Sequence, residues 1–366
     1  MNNYIDKLPN NIKEYFNVLS VDYPEFLNDY IETPRMQKQS KISVSCGTYY
    51  SKMFNIDTWY SSLDHSIAVA LIIWHFTHDK KQTLSGLFHD ISTPAFKHCI
   101  DFMNGDRENQ ESTEDLTKEM IINSKEIMNL LKRDNINIDE IADYHIYPIA
   151  DNDTPKLSAD RLEYTLSNGL GVIKKIWSID EVKEIYNNLI IEKNEDGIDE
   201  MCFKDKELAE KFVRIMSKLS ILYMDEKRRF AMQFLADTMK IMSEKNIISV
   251  EDLYELSEEE VIKIIENCEE DNISNCFNIW KNGDKVKTSN KNIPNKYCIN
   301  INAKKRYINP LVKTKNNNVR ISEISQESKD NINKCLNYSF DKYLYMDFNF
   351  EKNKTLKKGS TIFSGV

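Results

Sequence analysis

Leu63-Asp-His-Ser-Ile-Ala-Val-Ala-Leu-Ile-Ile-Trp-His-Phe76, followed after a polar break by Lys81-Gln-Thr-Leu-Ser-Gly-Leu-Phe-His-Asp90, is the stretch that decides the fold. From Leu63 to Phe76 the residues are apolar almost all round. A helix with that pattern is buried on most sides rather than on one stripe. Lys81 to Asp90 reads as a second helix, and Pro94 breaks the chain soon after it. The most apolar run, Ser66–Trp74, is about half the length a bilayer needs, so the segment predicts a core and not a membrane span.

Outward from this pair the expectation is mainly α. Residues 1–30 look helical and peripheral. Residues 31–62 mix turn signals with aromatics, and Cys46-Gly47 reads as a turn. Residues 111–133 carry Leu116, Met120, Ile121, Ile127, Met128 and Leu131 at helical spacing. A helix bearing Leu157, Asp160, Arg161 and Tyr164 is expected to start near Asp153-Thr154-Pro155, an N-cap signal with proline in the first turn. From 178 to 270 the periodicity is again helical, with capping boxes expected at Ser249–Asp252 and Ser257–Glu260. Beyond about 271 Asn and Lys rise, and Tyr297–Ile301 and Arg306–Ile308 resemble strands. The expected organisation is a helical domain over 1–245 and a small α+β module over 246–366.

Only 9 Gly and 8 Pro in 366 residues favour helices over a sandwich or barrel. A net charge of -9 repels a phosphate backbone, so nucleic-acid binding is disfavoured. The short basic tail Lys352–Lys358 reads as a solvated end. Seven scattered cysteines without a CxxC pair argue against a disulfide framework and a zinc knuckle. MNNYIDKLPNN lacks the order of a signal peptide, and a cytoplasmic protein is the expectation.

His65 and the pair His89-Asp90 lie on two adjacent helices, and Asp160 on a third roughly 70 residues on. Buried imidazoles and carboxylates in the most apolar part of a chain each cost a few kcal/mol unless something satisfies them. A shared divalent cation does so, and two histidines with two carboxylates suit Mn, Fe, Co, Ni, Zn or Mg rather than an all-thiolate zinc site. His65, His89, Asp90 and Asp160 are therefore the expected ligands of one divalent metal.

The order Asp64-His-Ser, Leu87-Phe-His-Asp-Ile91 and Asp160-Arg-Leu-Glu-Tyr-Thr-Leu166 resembles the HD superfamily of metal-dependent phosphohydrolases, whose ligands follow H…HD…D. It is similar in particular to the deoxynucleoside triphosphate triphosphohydrolase branch, of the dGTPase type. Ile31-Glu-Thr-Pro-Arg-Met-Gln37, Phe96-Lys-His98 with Asp101, and Lys305-Arg-Tyr-Ile-Asn-Pro310 carry the likeness further. The resemblance implies an HD-domain helical core and metal-assisted hydrolysis of a nucleotide or related phosphoester, dNTPs among them. It also implies a homo-oligomer. On that implied site Asp90 would serve both as ligand and as proton acceptor. His98 and Asp101 would form an acid–base pair with Glu111 orienting it, and Lys97, Arg161 and Tyr164 would hold phosphate and sugar.

Three positions depart from the branch. Thr93 and Gln110 stand where it places histidines, and Ser62 where it places an arginine. Thr and Gln hydrogen-bond an oxygen but do not exchange protons near pH 7. This leaves open a triphosphohydrolase, a phosphomonoesterase, a phosphodiesterase, or a catalytically reduced nucleotide-binding regulator. His145, in a loop ahead of Asp160, reads as a loop residue or a supporting partner of the site, and His75 and His78 as helix-end residues. Tyr49, Tyr50, Trp59 and Tyr60 read as packing under a loop, with stacking on a base as the alternative.

Overall fold

The computed structural model describes residues 3–55, 58–108, 110 and 116–349. Glu111 and the Lys352–Lys358 tail lie outside the described residues. The architecture is mainly α with a small β component, as composition and periodicity predict.

The Leu63–Phe76 stretch forms the helix Ser62–Thr77, buried continuously from Ser62 to Ile73. Ser61 starts it with a capping box closed by Asp64, and His78 stops it in a left-handed conformation at φ 48°. Asp79 then accepts from the amides of Lys81 and Gln82 and begins the helix Lys80–Phe88. The two helices approach closely at Gly86, where a Cβ would fall 2.3 Å from Ile73 Cδ1. The backbone of the second histidine helix is thereby pressed against the first.

Around this pair lies a core containing Leu27, Tyr30, Leu84, Leu87, Leu162, Leu166 and Phe212. The helix Asn10–Leu19 buries Ile12, Tyr15, Phe16 and Leu19 in it, so the N-terminal segment is packed rather than peripheral. A second core gathers Phe230, Phe234, Trp280, Tyr297 and Phe348, with Phe96 and Ile100 from the segment after His89. Its spine is the helix Glu226–Glu244. Both capping boxes expected at Ser249 and Ser257 are present.

Several elements differ from expectation. The helical reading of 178–270 is interrupted by a hairpin, β1 (Leu189–Lys193) and β2 (Asp199–Phe203), paired from Leu189↔Phe203 to Lys193↔Asp199. Its turn is made by Asn194, whose side-chain oxygen accepts from the amides of Asp196 and Ile198, and by Gly197 at φ 75°. The helix over 111–133 is two helices, Thr117–Asn123 and Lys125–Arg133. Ser124 breaks the run by turning extended and capping the second.

The helix carrying Asp160 starts at Ala159, because Ser158 rather than Asp153 accepts the Arg161 amide. Of Tyr297–Ile301 only Cys298–Ile299 pairs, as β4; β3 (Lys287–Ser289) and β7 (Tyr343–Tyr345) complete a sheet of order β3-β7-β4. Arg306–Ile308 joins no ladder among the described residues, and its first two residues line the large cavity of the molecule.

β5 (Leu311–Lys313) lies parallel to β2 and antiparallel to β6 (Asn318–Arg320), giving the sheet β1-β2-β5-β6. Two of its strands thus precede residue 246 and two come after it. The sheet is tied to the segment leading into the Asp160 helix by Glu200, which is fully buried. One Glu200 oxygen accepts from the Leu157 amide at 3.1 Å and from Arg320 Nη1 at 2.6 Å, the other from Arg320 Nη2 at 2.8 Å. Arg320→Ala would leave that carboxylate buried without its cation. It is expected to cost ~3–5 kcal/mol of folding stability, read by denaturant unfolding.

Candidate metal centre

Three helices deliver three ligand atoms to one point. His65 comes from the first turn of Ser62–Thr77, His89 caps the end of Lys80–Phe88, and Asp160 lies in the first turn of Ala159–Ser167. His65 Nε2 is 3.1 Å from Asp160 Oδ1 and 3.2 Å from His89 Nε2. His89 Nε2 is 3.8 Å from the same Asp160 oxygen. These three atoms are close enough together to share one metal ion.

The far side of each imidazole is already used. His89 Nδ1–H donates to the Gly86 carbonyl at 2.7 Å. His65 Nδ1–H donates to the carboxylate of Glu163. Both rings therefore aim Nε2 at the shared point, with the tautomer set by the opposite hydrogen bond. Glu163 is fully buried and also accepts from Tyr60 Oη at 2.7 Å and Tyr15 Oη at 3.3 Å. The donor set fits a divalent cation: two oriented imidazoles and a carboxylate, with open positions toward a cavity.

Asp90, the fourth expected ligand, has Oδ2 3.7 Å from His89 Nε2 and 3.9 Å from His65 Nε2. That oxygen is held by Lys97 Nζ at 2.5 Å and by the Ser62 hydroxyl at 3.3 Å. Burial works against the Asp90 carboxylate, but Lys97 and the two imidazoles overcome it and hold the group well below the usual carboxylate range. Asp90 is thus a fixed anion at the rim of the three-atom cluster. Ser62 braces that anion.

For His65, burial disfavours the imidazolium, yet Glu163 and Asp160 outweigh it and push the pKa from 6.5 up to about 10. A proton on Nε2 occupies the point where a cation would sit. Metal uptake therefore displaces that proton, and apparent affinity is expected to rise roughly tenfold per pH unit between 6 and 9. Calorimetric titration of Mn in buffers of different ionisation enthalpy reads the released proton. In the metal-free chain the same shift stabilises the fold below pH 6.5, and the contribution is lost as pH climbs through about 10.

The cluster opens into a cavity of about 850 Å³. His98 lines it, with Nδ1–H donating to Asp101 Oδ2 at 2.9 Å. Burial lowers the His98 pKa against the pull of Asp101, with Arg306 and Lys97 lowering it further. The ring is held neutral and oriented, with Nε2 free of that bond. Tyr164 lines the same wall.

Arg161 is at the wall too, but its donors are engaged. Nε donates to the Lys156 carbonyl at 2.8 Å, Nη2 to Asn152 at 2.6 Å, and Nη1 faces Asp151 at 3.1 Å. Thr93 is buried away from the cavity, its carbonyl accepting from Lys38 at 3.0 Å. His145 reaches the cavity between Asp143 and Asp151. His78 caps a helix, and His75 packs on Tyr186. Tyr49 packs edge-on against Tyr50 and Trp59, while Tyr60 serves Glu163.

Two residues of this site carry no role in the sequence reading. Glu163 stands three positions after Asp160, a spacing that puts both carboxylates on one helix face, and this was its available signal. Arg306 lies in the Lys305–Pro310 stretch that carries the resemblance, which was its available signal, but it enters the site from a distant segment.

No family model matches the chain. One relative is an uncharacterized protein, YdhJ, from Bacillus subtilis (strain 168), 27% identical over 207 residues, or 55% of this chain and 60% of its own length. The match thus spans less than two thirds of that relative. Among solved structures, a phosphohydrolase from Bacteroides thetaiotaomicron superposes with a TM-score of 0.59 at 13% identity, covering 91% of this chain and 97% of that one. A hypothetical protein from Aquifex aeolicus gives 0.54 at 14% identity, covering 89% and 93%. Likenesses at these identities establish shape: the chain shares its fold with these two structures, and its His65–His89–Asp160 cluster is suited to a metal.

Proposed function

We propose that the protein is a metal-dependent phosphohydrolase acting on a nucleotide or related phosphoester, with dNTP triphosphohydrolysis as its most specific form. The observation that carries this is the convergence of His65 Nε2, His89 Nε2 and Asp160 Oδ1 at the edge of a large cavity. Asp90 completes the set as fourth ligand. His65, His89, Asp160 and Asp90 would hold a divalent cation, which when bound would supply an activated water and polarise a phosphoryl oxygen.

The chain's own residues do the rest. Glu163 and the Gly86 carbonyl keep the imidazoles aimed, and Lys97 keeps Asp90 ionised. The neutral His98, oriented by Asp101, takes up a proton at Nε2 and returns it to the leaving oxygen. Asp90, held far below the usual carboxylate range, is the weaker base of the two. Glu111, by the resemblance, would support the His98–Asp101 pair. Lys97, Arg161 and Tyr164 shape the wall against which phosphate and sugar lie.

A panel of nucleoside mono-, di- and triphosphates and cyclic nucleotides, assayed with Mn and Co, tests this. Release of phosphate, pyrophosphate or tripolyphosphate that EDTA abolishes is expected. Tight nucleotide binding without release from any member would instead establish a regulatory binding protein. Thr93 and Gln110 motivate that second reading, since neither exchanges protons; the intact His98–Asp101 pair favours the enzyme.

A further inference from the structure

Four of the cations lining the cavity are paired with carboxylates, and Arg229 and Lys305 donate to the backbone carbonyls of Met224, Ile301 and Leu336. Lys97 answers to Asp90 at 2.5 Å, Arg161 to Asp151 at 3.1 Å, Lys156 to Asp196 at 3.0 Å and Arg228 to Asp225 at 2.9 Å. Arg306 differs. It lines the cavity half-buried, and among the described residues it forms no ion pair. Its Nη2 donates to the side-chain oxygen of Gln110 at 2.7 Å, and its guanidinium lies 5.6 Å from the ring centroid of Tyr164. Both partners are neutral.

A guanidinium carries five N–H donors, and one hydrogen bond leaves most of them unspent. The Asp160 carboxylate is felt at Arg306 but forms no ion pair with it, so the half-buried guanidinium keeps the capacity to receive an anion that arrives from outside. Gln110 supports that logic: an amide oxygen orients the guanidinium without cancelling its charge, where a glutamate would cancel it. Tyr164 contributes a cation–π face with the same neutrality. Arg306 also makes itself felt at the reacting end of the cavity, where its charge helps lower the His98 pKa.

We propose that Arg306 is the residue that binds the substrate's phosphate group, and that Gln110 is the positioning residue that presents its guanidinium to the cavity. The proposal rests on the reading of the cavity as a phosphohydrolase site and adds to it a specific anion contact. It also gives Gln110 a task of its own: holding a cation.

The test is calorimetric binding of inorganic phosphate to the full chain loaded with Mn, with bound Mn per chain and thermal midpoint measured on the same samples. Arg306→Ala is expected to weaken phosphate binding on the order of 10- to 100-fold, with Mn content unchanged. Arg306→Lys should retain part of the affinity, since the charge remains but the fork is lost. Gln110→Glu keeps the shape and supplies an internal carboxylate, so it should weaken phosphate binding much as Arg306→Ala does. A merely structural arginine would not show that. If Arg306→Ala unfolds, Gln110→Glu and Arg306→Lys decide the matter. Unchanged phosphate affinity in Gln110→Glu and Arg306→Lys, or in a folded Arg306→Ala, overturns the proposal, as does a wild type that binds no phosphate. Phosphate binding that depends on Arg306, in a chain hydrolysing no nucleotide, would leave this inference standing and remove the proposed activity.

Discussion

His89→Ala is expected to lower metal-dependent phosphate release by at least about 10³-fold, or ~4 kcal/mol of transition-state stabilisation. The imidazole is one of two nitrogen donors at the cluster, and its Nδ1–H is committed to the Gly86 carbonyl, so no other orientation substitutes for Nε2. Removal leaves one histidine and Asp160, beside an Asp90 already engaged by Lys97. The fold should persist, because His89 lies at the end of its helix and the packing of Gly86 on Ile73 does not involve the ring. Circular dichroism unchanged from wild type, together with loss of turnover, is the expected pair of results. Turnover within tenfold of wild type would show that the reaction does not run through this cluster.

Glu163→Gln should reduce Mn affinity ~10–100-fold without touching a ligand. The variant keeps an oxygen to accept from His65 Nδ1–H but removes the charge that steadies the ring and supports its donor strength. Glu163→Ala should do more. It leaves His65 free to rotate and strands the hydroxyls of Tyr15 and Tyr60, both buried against that carboxylate. A further stability loss of ~3–5 kcal/mol is expected, in the range seen on breaking buried charged networks. Tyr60→Phe provides the contrast: about 1 kcal/mol of stability and little change in Mn affinity. Manganese titration and denaturant unfolding separate the two effects. Equal Mn affinity in wild type and Glu163→Gln would show that the carboxylate behind His65 is structural only.

The parts of this molecule that sequence reveals are those governed by short-range periodicity. The all-round apolar character of Leu63–Phe76 marks the buried helix, and burial from Ser62 to Ile73 results from it. The Ser249 and Ser257 boxes are legible because a cap is a contact between residues three apart. His65, His89 and Asp160 could be grouped because buried polar side chains on neighbouring helices demand a common partner.

Where local signals compete, the reading goes astray. Ser158 wins the cap from Asp153, and the Asn194–Gly197 turn overrides the helical pattern on either side of it. Ser124 divides a run whose apolar spacing continues across it. Contacts between distant segments leave no such trace. Glu163 meets Tyr15 across 148 positions, and Arg306 meets Gln110 across 196, so the local pattern around each does not reveal its partner.

One divalent ion is expected to be held by His65, His89 and Asp160. Elemental analysis of the purified chain, after loading with Mn and exhaustive dialysis, tests it most directly. Close to one Mn per wild-type chain is expected, and a small fraction of that in folded His65→Ala and Asp160→Ala. Wild-type chains without Mn, or both variants with undiminished Mn, would contradict it.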